Sequence, residues 1–340
     1  MGDHGKVHYI ISRMHDVYLG QDEVLKCILA ALLSGGHVLL EGVPGVGKTL
    51  LAIALSQLLH LSFKRIQFTN DMLPSDVTGF HTFRSGASSL DIVKGPVFAS
   101  IVLADEINRT SPKTQSALLE AMEERQVSVE GTSYPLADPH IVIATQNPVE
   151  YEGTYPLPEA QLDRFLMKLV VGYPSEEQEV EVLMRHHTGL DPHDVRAAGV
   201  RPVATSADLI AARSDVAKVV VEPPVMAYVV ALARATRNQP SVQLGVSPRG
   251  AAALLAASKA WAWLSGRPYV TADEVKAVAR PVLRHRIMVR PELELEGSTA
   301  DGIIDVVLSS VPCPLYTSDA ADEPPCLGLG GRRLPEQHTT

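Results

Sequence analysis

Cysteine is scarce in this sequence: Cys27, Cys313 and Cys326 are the only three in 340 residues. Such a small, scattered set suggests neither a disulfide framework nor a metal site, and it favours a reducing cytoplasm. No apolar run approaches the about 20 residues of a membrane-spanning helix. Residues 1–6 are polar and lead into no apolar segment. We therefore expect a cytoplasmic protein with neither a secretory signal nor a membrane anchor.

Concentrated positive charge is also missing. The sequence has 30 Lys and Arg against 39 Asp and Glu, a formal net charge of −9, and its basic residues occur only as scattered pairs. A protein with this net negative charge has no general attraction for the phosphate backbone of a nucleic acid. Nucleic acid is therefore a disfavoured partner, although a narrow basic pore would be hidden in the average.

The most informative feature that is present is the segment 42–49, GVPGVGKT, which matches the phosphate loop G-x-x-x-x-G-K-[ST]. It follows a short apolar run and precedes a helical pattern over 50–59. Lys48 is expected to reach the β and γ phosphates of a nucleoside triphosphate, and the Thr49 hydroxyl to enter the shell of its Mg²⁺. The positive end of the helix dipole points at the same anion. The expected nucleotide-binding residues of this segment are Gly42, Pro44, Gly45, Val46, Gly47, Lys48, Thr49 and Leu50.

The chain length suits about two domains, because single hydrophobic cores usually stop growing near ~250 residues. In the first half, short aliphatic runs alternate with helical patterns, which is typical of a parallel sheet covered by helices. A helix is predicted over Asp22–Leu33, and strands are predicted over 38–40, 63–68, 101–104, 141–144 and 165–170.

The second half is predicted to be helical, with weak strand character only at 218–221. Capping boxes open helices at Ser175 and Thr271, and Thr205 opens another short helix. Apolar helical stretches cover 224–237, 248–264 and 271–280. We expect a core over 1–188 that includes an N-terminal helix, a linker over 189–204 and a helical domain over 205–311.

The last segment, 312–340, does not resemble the rest. Residues 313–323, CPLYTSDAADE, resemble the translation of a transposase-type sequencing adaptor. We expect a disordered tail that is non-native read-through. Ordinary genomic sequence on both sides of codon 313 would contradict this interpretation.

A pair of acids, Asp105 and Glu106, ends the apolar run 101–104. In phosphate-loop enzymes a strand-end aspartate in the place of Asp105 holds Mg²⁺, largely through its waters. Glu106 beside it can orient and deprotonate an attacking water, which suits hydrolysis better than transfer to a small-molecule acceptor. A kinase is thereby disfavoured, and a GTPase is disfavoured because no N-K-x-D segment occurs. The alternative is a solvated pair of acids after a core strand.

An amide side chain follows the next apolar run, where Gln146 and Asn147 precede Pro148. Asn147 can hydrogen-bond both the γ phosphate and the lytic water without changing the charge balance. Asparagine before proline is also a common turn residue. The position of Asn147 after a predicted core strand is what supports a role in binding the phosphate and the water.

Two arginines complete the candidate site. Arg164 precedes the fifth predicted strand, from which it can reach a neighbouring subunit's nucleotide, and an arginine supplied in trans is worth ~10³–10⁵ in rate. A surface ion pair is an equal alternative. Arg249 follows Ser247 and Pro248 at a helix N-terminus, where a cation opposes the dipole by about 0.3–1 kcal/mol. A bound γ phosphate reverses that sign, so we favour a nucleotide sensor over a tolerated surface arginine.

Together these motifs resemble the AAA+ ATPases, and the segments between them resemble the MoxR family. The resemblance covers the chain from about residue 20 to 311 and is carried by GPVFASIVLADEINR at 95–109, ATQNP at 144–148 and GTYPLPEAQLDRF at 153–165. It implies an α/β fold, an AAA+ core with a five-stranded parallel sheet followed by a small all-helical lid domain.

The resemblance also implies roles. It assigns the phosphate loop to Lys48 and Thr49, the second acid motif to Asp105 and Glu106, sensor 1 to Asn147, the arginine finger to Arg164 and sensor 2 to Arg249. Gly20 and Gln21 fall where family members cover the adenine. An insertion over 70–94 and a hairpin over 126–136 resemble elements that line a ring's pore or face, ordinary surface hairpins being the alternative.

The family implies homo-hexameric rings that couple hydrolysis of ATP, with Mg²⁺, to remodelling or maturing a protein client. Its members often work with a partner that carries a von Willebrand factor A domain. Two alternatives stay open at this point, a nucleic-acid-linked AAA+ motor and a magnesium-chelatase-like ATPase subunit. The acidic balance and the lack of a recognisable DNA-binding appendage count against the first.

Overall fold

A computed structural model gives the fold, and it describes residues 3–15, 18, 21–43, 45–83, 90–147, 153–187 and 201–313. The α-helices are α1 Asp3–Met14, α2 Asp22–Leu33, α3 Lys48–Leu58, α4 Pro74–Thr78, α5 Pro112–Glu124, α6 Glu159–Leu162, α7 Glu176–His187, α8 Ser206–Lys218, α9 Pro223–Arg237, α10 Pro248–Leu264, α11 Ala272–Leu283, α12 Pro291–Leu295 and α13 Ala300–Ser310. The strands are β1 Val38–Gly42, β2 Phe63–Gln67, β3 Gly79–Phe83, β4 Leu90–Lys94, β5 Ile101–Asp105, β6 Gln126–Val129, β7 Thr132–Pro135, β8 Ile141–Gln146, β9 Met167–Val171, β10 Val242–Leu244 and β11 Met288–Val289.

The core is a five-stranded parallel sheet in the order β2-β5-β8-β1-β9. All five strands were predicted, because each is a short aliphatic run suited to burial between two layers of helices. The fifth begins two residues later than predicted, at Met167. The Phe165 carbonyl accepts a hydrogen bond from Arg286 at 2.7 Å, so this residue serves a contact with the second domain.

The two faces of the sheet pack against different layers. Along β5, Ile101 and Leu103 belong to an apolar cluster with α2, α3 and the C-terminal helices. Val102 and Ala104 point to the other face, into a cluster with α5. This alternation follows from the two-residue period of a strand. The first cluster is continuous from the sheet into the second domain, so the two domains share one core.

The helical lid domain is confirmed, with one addition. The capping box predicted at Thr271 forms with Glu274, and the helix predicted to open at Thr205 begins with a capping box of Thr205 and Asp208. The prediction of an all-helical domain missed a two-stranded antiparallel sheet of β10 and β11. These strands have three and two residues, too few for an alternating pattern, and they come from distant parts of the sequence. The segment 218–221 contributes only an isolated bridge from Val220 to Tyr269.

Two hairpins project from the core. The predicted one is confirmed as β6 and β7, with Glu130 and Gly131 at its turn in left-handed conformation, φ 47° and 84°. The insertion before β5 forms α4 and the hairpin of β3 and β4. His81 on β3 joins the two hairpins, because its Nδ1 lies 3.0 Å from a Glu130 carboxylate oxygen and its Nε2 3.0 Å from the Tyr134 hydroxyl.

Some predictions concern residues that the structure does not describe. Gly20, Pro44, most of the predicted linker and the tail from 314 onward lie outside the described residues. At the end of the linker, the N–H groups of Val203 and Ala204 donate to the Leu58 carbonyl. The domain boundaries stay predictions. Within the described ranges, none of the helices has both the length and the apolar character needed to cross a membrane.

Candidate functional site

The phosphate loop joins β1 to α3 at the carboxyl edge of the sheet. Gly45 and Gly47 have φ of 84° and 78°, a left-handed conformation that glycine adopts without steric cost. The ammonium group of Lys48 donates to the Gly42 carbonyl at 2.7 Å. Burial lowers the pKa of Lys48, while the nearby Asp105 and Glu106 act in the opposite direction. Two carboxylates thus favour the charged lysine that a phosphate needs.

A cavity of about 550 Å³ opens beside this loop. Its volume lies within the range of small-molecule sites, about 300–1,000 Å³. Most of the predicted site residues meet there, although they come from three strand ends and one helix. The lining residues are Gly45, Gly47, Lys48, Thr49, Leu50, Ile53, Arg65, Gln67, Asp105, Glu106, Thr145 and Asn147.

The two acids are held by the neighbouring strand β8. The Thr145 hydroxyl donates to Asp105 Oδ1 at 2.6 Å and accepts from the Glu106 N–H at 2.9 Å. Glu106 has φ 57° and ψ 49°, a left-handed conformation that is uncommon outside glycine and concentrates at functional sites. Its carboxylate also forms an ion pair with Arg109, at 3.0 Å. The chain thus bends sharply at Glu106, and this carboxylate lines the cavity.

Strand β2 contributes two residues that the sequence analysis missed. Arg65 Nη2 lies 2.6 Å from Asp105 Oδ2, and Gln67 Nε2 donates to Glu106 Oε2 at 2.8 Å. A signal was present, because alternate residues of a strand share a face and Gln67 pairs with Asp105 in the parallel register. Using that signal requires the strand order, which the sequence pattern does not supply.

A tyrosine also covers the phosphate loop. Tyr18 is buried, and its hydroxyl donates to the Val46 carbonyl at 3.2 Å. Burial raises the pKa of Tyr18 to about 12. Its ring lies 3.0 Å from where a Cβ on Gly47 would be placed, so any side chain there would crowd it. Gln21, predicted to lie near the adenine, donates to the Gly172 carbonyl at 3.4 Å.

Asn147 occupies the position predicted for it, directly after β8, where it is 8% exposed and lines the cavity. The carboxyl ends of parallel strands meet at one edge of a sheet. That rule explains why Asp105 and Asn147, far apart in the sequence, lie beside the phosphate loop. Both positions agree with the sequence prediction.

The two predicted arginines lie elsewhere. Neither lines the cavity. Arg164 precedes β9, and β9 runs parallel to β1 with Met167 beside Val38 and Val171 beside Gly42. The two ends of this pairing are separated by about 13 Å at ~3.3 Å per residue. Arg164 therefore lies at the amino edge of the sheet, whereas the phosphate loop lies at the carboxyl edge.

Arg249 joins Arg164 at the amino edge through one shared acid, Glu123. Arg164 Nε lies 3.1 Å from Glu123 Oε2, and Arg249 Nη1 lies 3.3 Å from Glu123 Oε1. Arg249 Nε is also 3.7 Å from Asp163 Oδ2. The predicted cap is confirmed, since the Ser247 hydroxyl accepts from the Gly250 N–H at 3.1 Å. These acids offset the unfavourable position of a cation at the start of α10.

A third, buried arginine secures this region. Arg286 Nε lies 2.6 Å from Asp163 Oδ1, and its other nitrogens donate to the carbonyls of Val282, Phe165 and Leu166. Burial lowers the pKa of Arg286, and Asp163 opposes that shift. We call the group the arginine cluster; its members are Glu123, Asp163, Arg164, Arg249 and Arg286.

Comparison with known proteins agrees with this geometry. Residues 37–167 match the model of the ATPase family associated with various cellular activities (AAA), and residues 234–306 match the AAA lid domain. A crystal structure of a Cytophaga hutchinsonii protein superposes with a TM-score of 0.85 at 38% identity, covering 92% of this chain and 96% of that one. The fold is that of an AAA+ ATPase.

Curated relatives define the family more closely. The chain is 41% identical to chaperone MoxR1 of Mycobacterium tuberculosis, over 88% of this chain and 80% of the relative. It is 33% identical to protein MoxR of Methylorubrum extorquens, over 87% and 92%. It is also 49% identical to the uncharacterised Bacillus subtilis protein YeaC, over 91% and 95%. The chain belongs to the MoxR family of AAA+ ATPases.

Proposed function

We propose that the chain binds ATP with Mg²⁺ and hydrolyses it within a ring of identical chains, a hexamer by analogy with the family. The observation that carries this proposal is the convergence of Lys48, Thr49, Asp105, Glu106 and Asn147 on one cavity. No single motif brings together a phosphate cradle, a metal ligand and a base for water. Under this proposal, three separate segments of the sequence supply these groups to one cavity.

The residues present fit Mg²⁺. The Thr49 hydroxyl and the Asp105 carboxylate are hard oxygen donors that line one cavity, and Mg²⁺ in nucleotide sites takes one or two protein ligands besides phosphate and water. Within the described ranges, no cluster of three or more His, Cys, Asp or Glu residues forms an all-protein metal site. Bound Mg²⁺ would neutralise negative charge on the phosphates.

Glu106 is the proposed general base. Its carboxylate lines the cavity, and contacts with Gln67 and Arg109 orient it. A carboxylate in this position accepts a proton from the attacking water as the water's oxygen bonds to the γ phosphorus. The bond from that phosphorus to the bridging oxygen breaks, and ADP is the leaving group. Asn147 supplies a neutral hydrogen-bonding group to the phosphate and the water. Lys48 balances charge on the β and γ phosphates.

Arg164 and Arg249 are proposed to act on the nucleotide of an adjoining chain. Both lie at the amino edge of the sheet, away from the phosphate loop of their own chain. A ring that places one chain's amino edge against the next chain's cavity would complete each site. This arrangement explains why two arginines of the predicted site lie outside the cavity.

The proposed biological role is chaperone-like. The name of a relative, chaperone MoxR1, supports such a role. Remodelling or maturation of a protein complex or metal centre is proposed from the family. A partner with a von Willebrand factor A domain is proposed from the family alone. Capture of proteins from a lysate by a Glu106→Gln chain, compared in the presence of ATP and of ADP, would identify the client.

The test of the proposed activity is direct. Purified, assembled chain should bind ATP and release inorganic phosphate when Mg²⁺ is present, and release should stop when Mg²⁺ is chelated. Stimulation by DNA that is lost with rising salt would indicate a nucleic-acid motor instead. A chain that neither binds ATP nor releases phosphate would overturn the proposal.

A further inference from the structure

One carboxylate, that of Glu123, holds both arginines that the sequence analysis singled out. Its Oε2 contacts Arg164 and its Oε1 contacts Arg249, at 3.1 and 3.3 Å. Arg164 belongs to the core and Arg249 to helix α10 of the lid. The two cations come from distant parts of the chain, and they meet at Glu123.

The arginines around Glu123 differ in burial. Arg286, with 4% of its side chain exposed, fixes Asp163, and Asp163 in turn approaches Arg249. The Arg164 and Arg249 side chains are 29% and 52% exposed. Glu123 engages one nitrogen of each exposed guanidinium, and a guanidinium carries five N–H donors. Donors therefore remain for an anion that approaches from outside.

We propose that Glu123 is a positioning residue that holds Arg164 and Arg249 side by side, so that both meet the same terminal phosphate of the adjoining chain. This inference rests on the proposed function. Two guanidinium groups repel each other, and a carboxylate between them allows close approach. Arginine side chains that are already oriented lose less conformational freedom when they bind the phosphate. Misplacement of a catalytic group by about 1 Å can lower the rate by about 10²-fold.

An ordinary surface ion pair is the competing explanation. Exposed pairs contribute little to folding, and the Glu123 side chain is 37% exposed. Substitution of Glu123 should therefore leave the melting temperature and the assembly of the ring nearly unchanged. A kinetic effect without a stability effect would distinguish positioning from simple surface pairing.

The experiment compares Glu123→Gln with Asp305→Asn in the full-length chain. Asp305 is also an exposed carboxylate paired with an exposed arginine, Arg280. Glu123→Gln should lower kcat for ATP hydrolysis by about 10- to 100-fold, with ATP affinity, melting temperature and ring assembly close to those of the original chain. Asp305→Asn should behave like the original chain. Glu123→Asp, which keeps the charge, should recover part of the rate.

Mixed rings give a second readout. A Glu123→Gln chain keeps its own cavity, so mixing it with a Lys48→Ala chain, which keeps its arginine cluster, should restore activity. An unchanged kcat in Glu123→Gln would overturn the inference. A lower kcat that accompanies loss of ring assembly would also overturn it, and so would a lower kcat that mixing does not restore. Failure of the proposed function is distinguishable, because the unsubstituted chain would then show no hydrolysis.

Discussion

The phosphate-loop cavity and the arginine cluster are built in opposite ways. The cavity lies at the carboxyl edge of the sheet, and its central residues, Lys48 and Thr49, belong to one continuous strand-loop-helix segment. The cluster lies at the amino edge and joins core and lid through side chains such as Glu123 and Arg249. Local backbone geometry therefore forms the phosphate-loop cavity, whereas docking of the lid on the core forms the arginine cluster. Under our proposal each chain carries a cavity and an arginine cluster. The cavity of one chain is completed by the arginine cluster of its neighbour, not by its own.

The largest effect is expected from Arg164→Ala. Hydrolysis should fall by about 10³–10⁵-fold, the range for an arginine supplied in trans, while ATP affinity stays unchanged because the cavity is intact. Steady-state phosphate release and equilibrium nucleotide binding measure the two properties. Mixing this chain with Lys48→Ala should restore part of the activity.

Arg280→Ala is the matched control, because Arg280 is also exposed and paired, with Asp305 on the lid. It should hydrolyse ATP at the original rate. No recovery in mixed rings that assemble would favour a surface ion pair for Arg164, and the proposed division of labour between the two edges would be wrong.

Glu106→Gln should separate binding from chemistry within the cavity. We expect kcat to fall by about 10²–10⁴-fold, the usual contribution of a general base. ATP should still bind, since the amide has the shape of the carboxylate. Nucleotide binding by fluorescence and single-turnover phosphate release test this. Retained turnover would remove Glu106 from its role.

Lys48→Ala should weaken ATP binding by about 100-fold, because charge-assisted hydrogen bonds to the phosphates are lost. The arginine cluster lies at the other edge and should be unaffected. The variant should therefore still rescue a partner chain with a defective cluster. Unchanged ATP affinity in Lys48→Ala would contradict the assignment of the cavity.

The smallest effect concerns the lid. Ser247→Ala removes the cap of α10 and should lower the free energy of unfolding by about 1 kcal/mol. Thr299→Ala is a matched control, since Thr299 caps α13 in the same way. Both should lower the melting temperature without changing ATP affinity. Only Ser247→Ala should lower kcat, because the start of α10 carries Arg249; equal kcat values would contradict a role for this helix in hydrolysis.

Much of the cavity could be predicted from sequence because its parts follow local rules. The phosphate loop is a contiguous motif, and Asp105 and Asn147 each follow an aliphatic run that was recognised as a strand. Arg65 and Gln67 were missed, although they lie on a predicted strand. Their contact with the acids depends on β2 lying beside β5, and neighbouring strands in a parallel sheet need not be consecutive in the chain.

The cluster was predictable only in part. Arg164 and Arg249 were singled out by their positions before a strand and at a helix start. Their meeting at Glu123, and the buried Arg286 beneath them, depend on how the lid docks on the core. A surface acid such as Glu123 has no sequence pattern that distinguishes it from other acids of α5.

The sequence by itself determined the phosphate loop, the acids, the strands and the family, because these follow from short-range spacing of residues along one chain. Only the tertiary structure decided which side chains share an edge of the sheet. The physical reason is that strand order and lid docking are selected by burial of apolar faces contributed by the whole chain. Polar residues such as Glu123 and Arg249 are carried to their partners by that burial.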